Sequence, residues 1–93
     1  MQDEDEVLVR VGSSERIEYC RMVSVEVGEK GMPFRVEGRY EVVVVQNGEG
    51  RITYKDRVSD VHKGDRVTIP SGVSYTVRSE SEINVLIFGV SDK

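Results

Sequence analysis

The chain has 93 residues, a length that suits a single domain. Charged residues make up 32% of it and the net charge is -4, with lysines and arginines scattered singly among acids. This distribution argues against a nucleic-acid partner, because phosphate binding needs a clustered basic surface. No apolar run approaches the ~20 residues that span a bilayer, so a membrane is not an expected partner either.

The beginning of the chain predicts a short tail and a location. Residues 1–6 are acidic and predict a flexible tail, followed by one folded domain over 7–93. A secretory signal starts with basic residues and continues with apolar ones, so this acidic start predicts a cytoplasmic protein. The single cysteine, Cys20, cannot form an internal disulfide and is expected to be a buried, inert thiol.

Strand-forming residues recur from Val7 onward. Valine dominates, alanine does not occur, and leucine occurs only at Leu8 and Leu86, a bias that favours strands over helices. Asn47-Gly48 has the composition of a tight hairpin turn, since both residues tolerate positive φ. Lys55-Asp56 is a further predicted turn. The predicted strands are 7–11, 16–27, 32–36, 40–46, 51–54, 57–62, 66–69, 74–78 and 83–90. Short strands without helices predict an all-β sandwich or barrel.

The central strand candidate contains four consecutive valines at 42–45. Successive residues of a strand point to opposite faces, so both faces of this strand are apolar and both need cover. One face should line the interior of the domain. The other needs a second sheet or a second subunit, and we therefore expect a homodimer through this outer face.

Three short motifs carry a resemblance to a known family. Glu41 and Gly48 lie in "EVVVVQNGEG" at 41–50, followed by Gly64-Asp65 and by Ile69-Pro70-Ser71-Gly72. Their joint spacing resembles the two motifs of the cupin superfamily over residues 35–75, which implies a small, single-domain jelly-roll β-barrel. The pieces "GEG", "KGD" and "IPSG" are also similar to the cupin end of phosphomannose isomerases, without the zinc-site residues of those enzymes.

The positions that match the cupin metal ligands carry other residue types. The resemblance implies three histidines and one glutamate as ligands of iron, manganese, nickel or zinc. Arg35, Glu37 and Tyr75 stand in the histidine positions, and only Glu41 is kept. Because arginine stays protonated and cannot ligate a metal, neither a metal nor another cofactor is expected. His62 lies in a predicted turn and brings no coordination set with it.

Arg35, Glu37, Glu41 and Tyr75 are the predicted ligand-binding residues, because they match the positions where other cupins hold the metal. An arginine fork suits a carboxylate or phosphate, and a carboxylate with a phenol suits sugar hydroxyls or an amine. We therefore expect a metal-free, non-enzymatic cupin that binds a small polar ligand such as a sugar or a carboxylic acid.

Two alternatives remain open at this point. One is an isomerase, epimerase or lyase that uses Glu41 as general base and Tyr75 as acid. The other is a structural or protein-interaction module with a filled barrel. In that case Arg35 pairs with Glu37 or Glu41, and Tyr75 fills space and donates its hydroxyl to a carboxylate.

Overall fold

The computed structural model describes residues 9–28 and 31–92, and the predicted tail at 1–6 lies outside them. The described chain forms strands and no helix, which confirms the all-β class. In chain order the strands are β1 (Glu15–Val25), β2 (Met32–Arg35), β3 (Tyr40–Tyr54), β4 (Arg57–His62), β5 (Arg66–Pro70) and β6 (Ser74–Asp92). No helix able to cross a membrane occurs in this part of the chain.

Two long antiparallel strands, β3 and β6, form the centre of the fold. Their pairing runs from Tyr40 opposite Val90 to Tyr54 opposite Tyr75, with register shifts between Val45 and Gly50. Before these shifts β3 pairs with β5, and the second half of β6 pairs with β1. Beyond them β3 pairs with β4, and the first half of β6 pairs with β2. The result is two four-stranded layers that share β3 and β6.

The sheet is open. Its hydrogen-bonded order is β1-β6-β3-β4, with β2 added to β6 and β5 added to β3. The jelly-roll arrangement is therefore present, but among the described residues no hydrogen-bonded ladder closes it into the expected barrel. Side chains from both layers instead form one shared core, which holds the layers together.

The register shifts explain why the structure has fewer strands than the sequence predicts. The predicted strands 40–46 and 51–54 are both parts of β3, and 74–78 and 83–90 are both parts of β6. Asn47-Gly48 is not a hairpin turn: Gly48 takes a φ of 84° inside β3. A Cβ at Gly48 would overlap the backbone of Glu82 on β6, so glycine is needed where the two strands shift. The predicted turn at Lys55-Asp56 does connect β3 and β4.

The interior between the layers is filled by side chains. Residues of β3 and β6 alternate between inward and outward positions, as strand geometry requires. The fully buried aliphatic residues of this interior are Ile52, Ile69, Ile83, Ile87, Val43, Val45, Val77 and Val85. Complete burial of one such side chain stabilises the fold by roughly 1.5–3 kcal/mol.

The outward face of the first layer is also apolar. Val42 and Val44 are only 9% and 5% exposed, whereas Met22 on the edge strand β1 is 74% exposed. Val9 and Arg10 line a groove with Val42, so the first described residues of the chain lie against part of this face. The described part of the predicted strand 7–11, residues 9–11, is not in a strand.

Cys20 lies on the same outward face, opposite Phe88 of β6. Its thiol is exposed, so the expectation of a buried cysteine is wrong. The strand predicted around Cys20 is present, but β1 is an edge strand, and no layer of the described residues covers its outward side chains.

Candidate functional site

Glu41 is completely buried, with 0% exposure, although it stands near the start of β3. Alternation along the strand places it on the same inward face as Val43 and Val45. Its neighbours in the sheet are Gly89 of β6 and Ile69 of β5. An unpaired carboxylate in such a place is strongly destabilising, so the partners of Glu41 decide what the site is.

Both oxygens of Glu41 accept hydrogen bonds. The hydroxyl of Tyr75 donates to Oε1 over 2.6 Å, and the hydroxyl of Tyr19 donates to Oε2. Nη2 of Arg21 lies 3.3 Å from the same Oε2 and forms an ion pair with it. Two phenols thus satisfy the carboxylate and a guanidinium balances its charge.

Tyr75 reaches Glu41 from the opposite layer. It lies on β6 directly across from Phe34 of β2, and it is only 2% exposed. The two rings stack with their centroids 5.3 Å apart and their planes at 23°. This packing fixes the phenol so that its hydroxyl points at the carboxylate.

Tyr19 reaches Glu41 by crossing over Gly89. The two residues are register partners on β1 and β6, and a Cβ at position 89 would overlap the Tyr19 ring. Only glycine leaves enough room for the ring to lie flat across β6. Gly89 therefore places the second phenol.

Arg21 closes the site toward solvent. Its side chain is 48% exposed, and its guanidinium carbon lies 5.2 Å from the centroid of the Tyr19 ring and 5.9 Å from that of Phe34. Tyr19, Arg21 and the exposed Glu37 line a pocket of about 140 Å³. Glu41 does not line this pocket, but it contacts two of the residues that do, Tyr19 and Arg21.

The environment keeps both phenols protonated. Burial, followed by the hydrogen bond and negative charge of Glu41, raises the pKa of Tyr19 to about 12. The same causes in the same order raise the pKa of Tyr75, and the charge of Arg21 opposes them only in part. At neutral pH both hydroxyls are therefore donors, and the carboxylate of Glu41 accepts.

Comparison with known proteins identifies the family of this fold. A model of the cupin domain matches residues 21–90, which include β2 to β5 and most of β6. The chain belongs to the cupin family. This match confirms the resemblance that the motifs at 41–50 and 64–72 indicated. No curated protein matches the sequence.

Solved structures show the same fold in proteins of low sequence identity. A conserved protein of unknown function from Streptococcus pyogenes has 18% identity and a TM-score of 0.69, covering 80% of this chain and 64% of that one. A cupin superfamily protein from Desulfitobacterium hafniense has 16% identity and a TM-score of 0.69, covering 92% and 75%. Salicylate 1,2-dioxygenase from Pseudoaminobacter salicylatoxidans has 23% identity and a TM-score of 0.66, covering 78% and 19%. The chain spans less than two thirds of the streptococcal protein, and these likenesses show the fold alone.

In this cupin the four predicted site residues do not all lie at the site. Glu41 and Tyr75 are in direct contact, and Glu37 lies at the pocket opening. Arg35 does not join them. It is exposed on β2 next to Phe34, whose ring points inward, so Arg35 points to the other face. Its predicted place beside Glu41 is wrong, and the guanidinium comes from Arg21.

Sequence reasoning missed Tyr19 and Arg21 because both precede the cupin motifs in the chain. One signal could have found them. Tyr19, Arg21, Val23 and Val25 alternate along β1 and share one face, and Val25 is buried at 5% exposure. An arginine on an otherwise apolar inward face indicates a buried acid nearby.

The residues at this position do not fit the metal that other cupins bind. Imidazoles suit those metals, but here two protonated phenols donate to the single carboxylate, and the cation of Arg21 lies 3.3 Å from Glu41. In the described ranges no group of three histidine, cysteine or acidic residues could hold a metal ion. His62 is exposed at the end of β4, with its Nδ1 3.5 Å from Asp65, and is not part of the site. We therefore derive no chemistry through a metal.

The geometry is better suited to binding than to general-base catalysis by Glu41. A general base has to come within hydrogen-bond reach of the proton it removes. Both oxygens of Glu41 already accept hydrogen bonds, and Arg21, which lines the pocket, is paired with Oε2. Tyr75, the acid in that alternative, is 2% exposed and donates to Glu41 itself.

Proposed function

We propose that this protein is a metal-free cupin that binds a small polar ligand in the pocket lined by Tyr19, Arg21 and Glu37, without catalysing a reaction. The observation that carries the proposal is the buried carboxylate of Glu41, held by side chains of the chain itself where other cupins hold a metal. A pocket with a few converging polar groups beside aromatic rings is the usual form of a small-molecule site.

The pocket limits the size of this ligand. Its volume of about 140 Å³ is below the roughly 300–1,000 Å³ of pockets that enclose drug-sized molecules. A sugar or a carboxylic acid, the classes suggested by the sequence, finds donors on Arg21, an acceptor on Glu37 and the ring of Tyr19, whose one hydroxyl proton is already donated to Glu41. Because Glu37 and Glu41 both oppose the charge of Arg21, a bare carboxylate has little electrostatic advantage here.

A ligand screen with matched tyrosine variants tests the proposal. Monosaccharides, amino sugars and small carboxylic and amino acids are titrated into the protein, and binding is followed by NMR chemical shifts and by thermal unfolding. We expect at least one saturable ligand whose affinity falls in Tyr19→Phe and is unchanged in Tyr40→Phe. Tyr40 is the matched control because its hydroxyl donates to Glu15, outside the pocket. Equal effects of the two variants, or no saturable ligand, contradict the proposal.

The filled interior favours a second candidate, a protein-interaction module. Ile52, Ile69 and Ile83 are completely buried between the layers and take up space in the described core. This candidate predicts that the whole screen fails while a macromolecular partner binds to the surface.

The proposal includes a homodimer through the outward face of the first layer. Met22 is 74% exposed on this face, beside the half-buried Leu86 and Phe88. A second copy would bury these side chains. Sedimentation should show a dimer that Met22→Glu dissociates and Val58→Glu leaves intact. Val58 is the control because it is 61% exposed on the other layer. A monomeric wild-type protein contradicts the proposed dimer.

A further inference from the structure

Arg21 occupies a position that has the chemistry of a cation-binding site. Its guanidinium lies 5.2 Å from the ring of Tyr19 and 5.9 Å from that of Phe34, within the ~6 Å at which aromatic faces attract cations. Behind it lies the buried carboxylate of Glu41, 3.3 Å from Nη2. We refer to Tyr19, Phe34 and Glu41 as the cage.

Arg21 is held in the cage by few contacts. Its side chain is 48% exposed, and the structure gives it a single 3.3 Å contact to Glu41 instead of a two-pronged pair. Because the guanidinium is half-exposed, water can solvate it as it leaves, and only its partner Glu41 is fully buried. Glu41 also does not depend on Arg21 alone, because Tyr19 and Tyr75 donate to both of its oxygens. The arginine can therefore leave without depriving the carboxylate of all its donors.

The charges around the cage favour a cation in its place. With Arg21 turned out to solvent, the site presents the carboxylate of Glu41, two aromatic faces and the carboxylate of Glu37 at the opening. An anion would meet two acids there, whereas a cation meets two acids and the negative faces of two rings.

We propose that the cage binds a small organic cation, a molecule with an amine or guanidinium group, and that Arg21 is an internal occupant which this ligand displaces. The inference rests on the proposed function and deepens it by naming the ligand class. Amino sugars and amino acids carry such a group. Their remaining hydroxyl or carboxylate groups would meet the displaced Arg21 at the rim of the pocket.

Titration with methylguanidinium and methylammonium ions at constant ionic strength tests the displacement. Binding is measured by NMR on wild-type protein, Arg21→Met and Arg35→Met. We expect weak saturable binding to wild type and about fivefold tighter binding to Arg21→Met, because in that variant the ion no longer competes with the guanidinium for Glu41. Arg35→Met removes an exposed arginine outside the pocket and should match wild type. Acetate should not compete.

Several results would overturn the displacement. One is equal affinity in all three proteins, and another is no saturable binding to a folded Arg21→Met. If that variant does not fold, Arg21→Lys replaces it. A lysine ammonium stacks less well on aromatic rings, so the added ion should again bind more tightly than to wild type, and equal or weaker binding refutes the idea. A sugar or acid whose binding is lost in Arg21→Met would retain the proposed function and overturn the displacement.

Discussion

Tyr40 and Glu41 are neighbours on β3, yet the two charged clusters around them differ in burial. Glu41 points inward, is completely buried, and accepts from Tyr19 and Tyr75 with Arg21 at its edge. Tyr40 points to the other face and belongs to a second cluster. Its hydroxyl donates over 3.2 Å to Glu15, whose side chain keeps some exposure to water.

The exposed cluster is built from the same residue types. Nη1 of Arg39 lies 3.0 Å from both Glu15 and Asp92, and the amide of Gly12 donates to Glu15 over 2.8 Å. These contacts join the start of β1, the segment before β3 and the end of β6. Arg39 and Asp92 are 53% and 75% exposed and Glu15 keeps 14%, so water reaches this cluster and each contact contributes little.

The difference between the clusters shows where a ligand can compete with the protein's own groups. In the exposed cluster a displaced side chain is replaced by water at almost no cost. In the buried cluster the departure of Arg21 leaves the charge of a fully buried carboxylate unbalanced, so a cation that takes its place gains affinity. Binding is therefore expected at Glu41 and not at Glu15.

The largest expected effect comes from removing the buried acid. Glu41→Leu leaves the hydroxyls of Tyr19 and Tyr75 without an acceptor, and should lower the free energy of unfolding by about 2–4 kcal/mol. Glu15→Leu is the matched control in the exposed cluster and should cost much less. Urea denaturation measures both. Equal losses would mean that burial does not distinguish the two clusters.

Gly89→Ala should give the second-largest loss in the free energy of unfolding. The added methyl group overlaps the Tyr19 ring, and overpacking of this kind costs about 1–3 kcal/mol. Gly28→Ala, where the backbone is open and φ is not positive, should be close to neutral in thermal unfolding. The destabilisation caused by Gly89→Ala should largely disappear when the protein also carries Tyr19→Ala. If it persists there, the ring of Tyr19 is not what requires a glycine.

Alkaline pH should weaken the buried cluster. The pKa of Tyr19 is raised to about 12 from its ordinary value of 10, so its contribution to stability is complete below pH 10 and is lost as pH rises toward 12. The free energy of unfolding, measured from pH 10 to pH 12, should fall more steeply in wild type than in Tyr19→Phe. Tyr40→Phe should have the smaller influence, since that phenol lies in the exposed cluster. Superimposable wild-type and Tyr19→Phe curves would contradict this assignment.

The smallest effect concerns Glu15 at acid pH. The hydrogen bond from Gly12, with help from Tyr40 and Arg39, lowers the pKa of Glu15 below 4.5. Its contribution is therefore present above pH 4.5 and is lost as pH falls through the lower value of the folded state. Glu15→Gln should be slightly less stable than wild type at neutral pH and equal to it in strong acid. A constant difference across that range would show that the charge of Glu15 is irrelevant.

The spacing of Glu41, Gly64, Pro70 and Gly72 was enough to predict the family, the all-β class and the position of the buried acid. Tyr75 was found in the same way, because it stands where the family motif has a histidine. The placement of Arg35 failed because motif spacing does not show which face of a short strand a residue occupies. The inward ring of Phe34 decides that in the structure.

Tyr19 and Arg21 could not be placed because they approach Glu41 through the pairing of β1 with β6, in which Tyr19 lies opposite Gly89, 70 positions later in the sequence. Local patterns give strands but do not give the register between distant strands. The continuity of β3 through Gly48 was missed for a similar reason, since only the contact with β6 explains a glycine there. The cytoplasmic location and the absence of a nucleic-acid partner stay predictions.

Metal analysis of the purified protein tests the central claim most directly. The account holds that Tyr19, Tyr75 and Arg21 satisfy Glu41 in place of a metal ion. Protein produced with added iron, manganese, nickel and zinc should therefore contain far less than one metal ion per chain. One ion per chain that is lost in Glu41→Gln would contradict it.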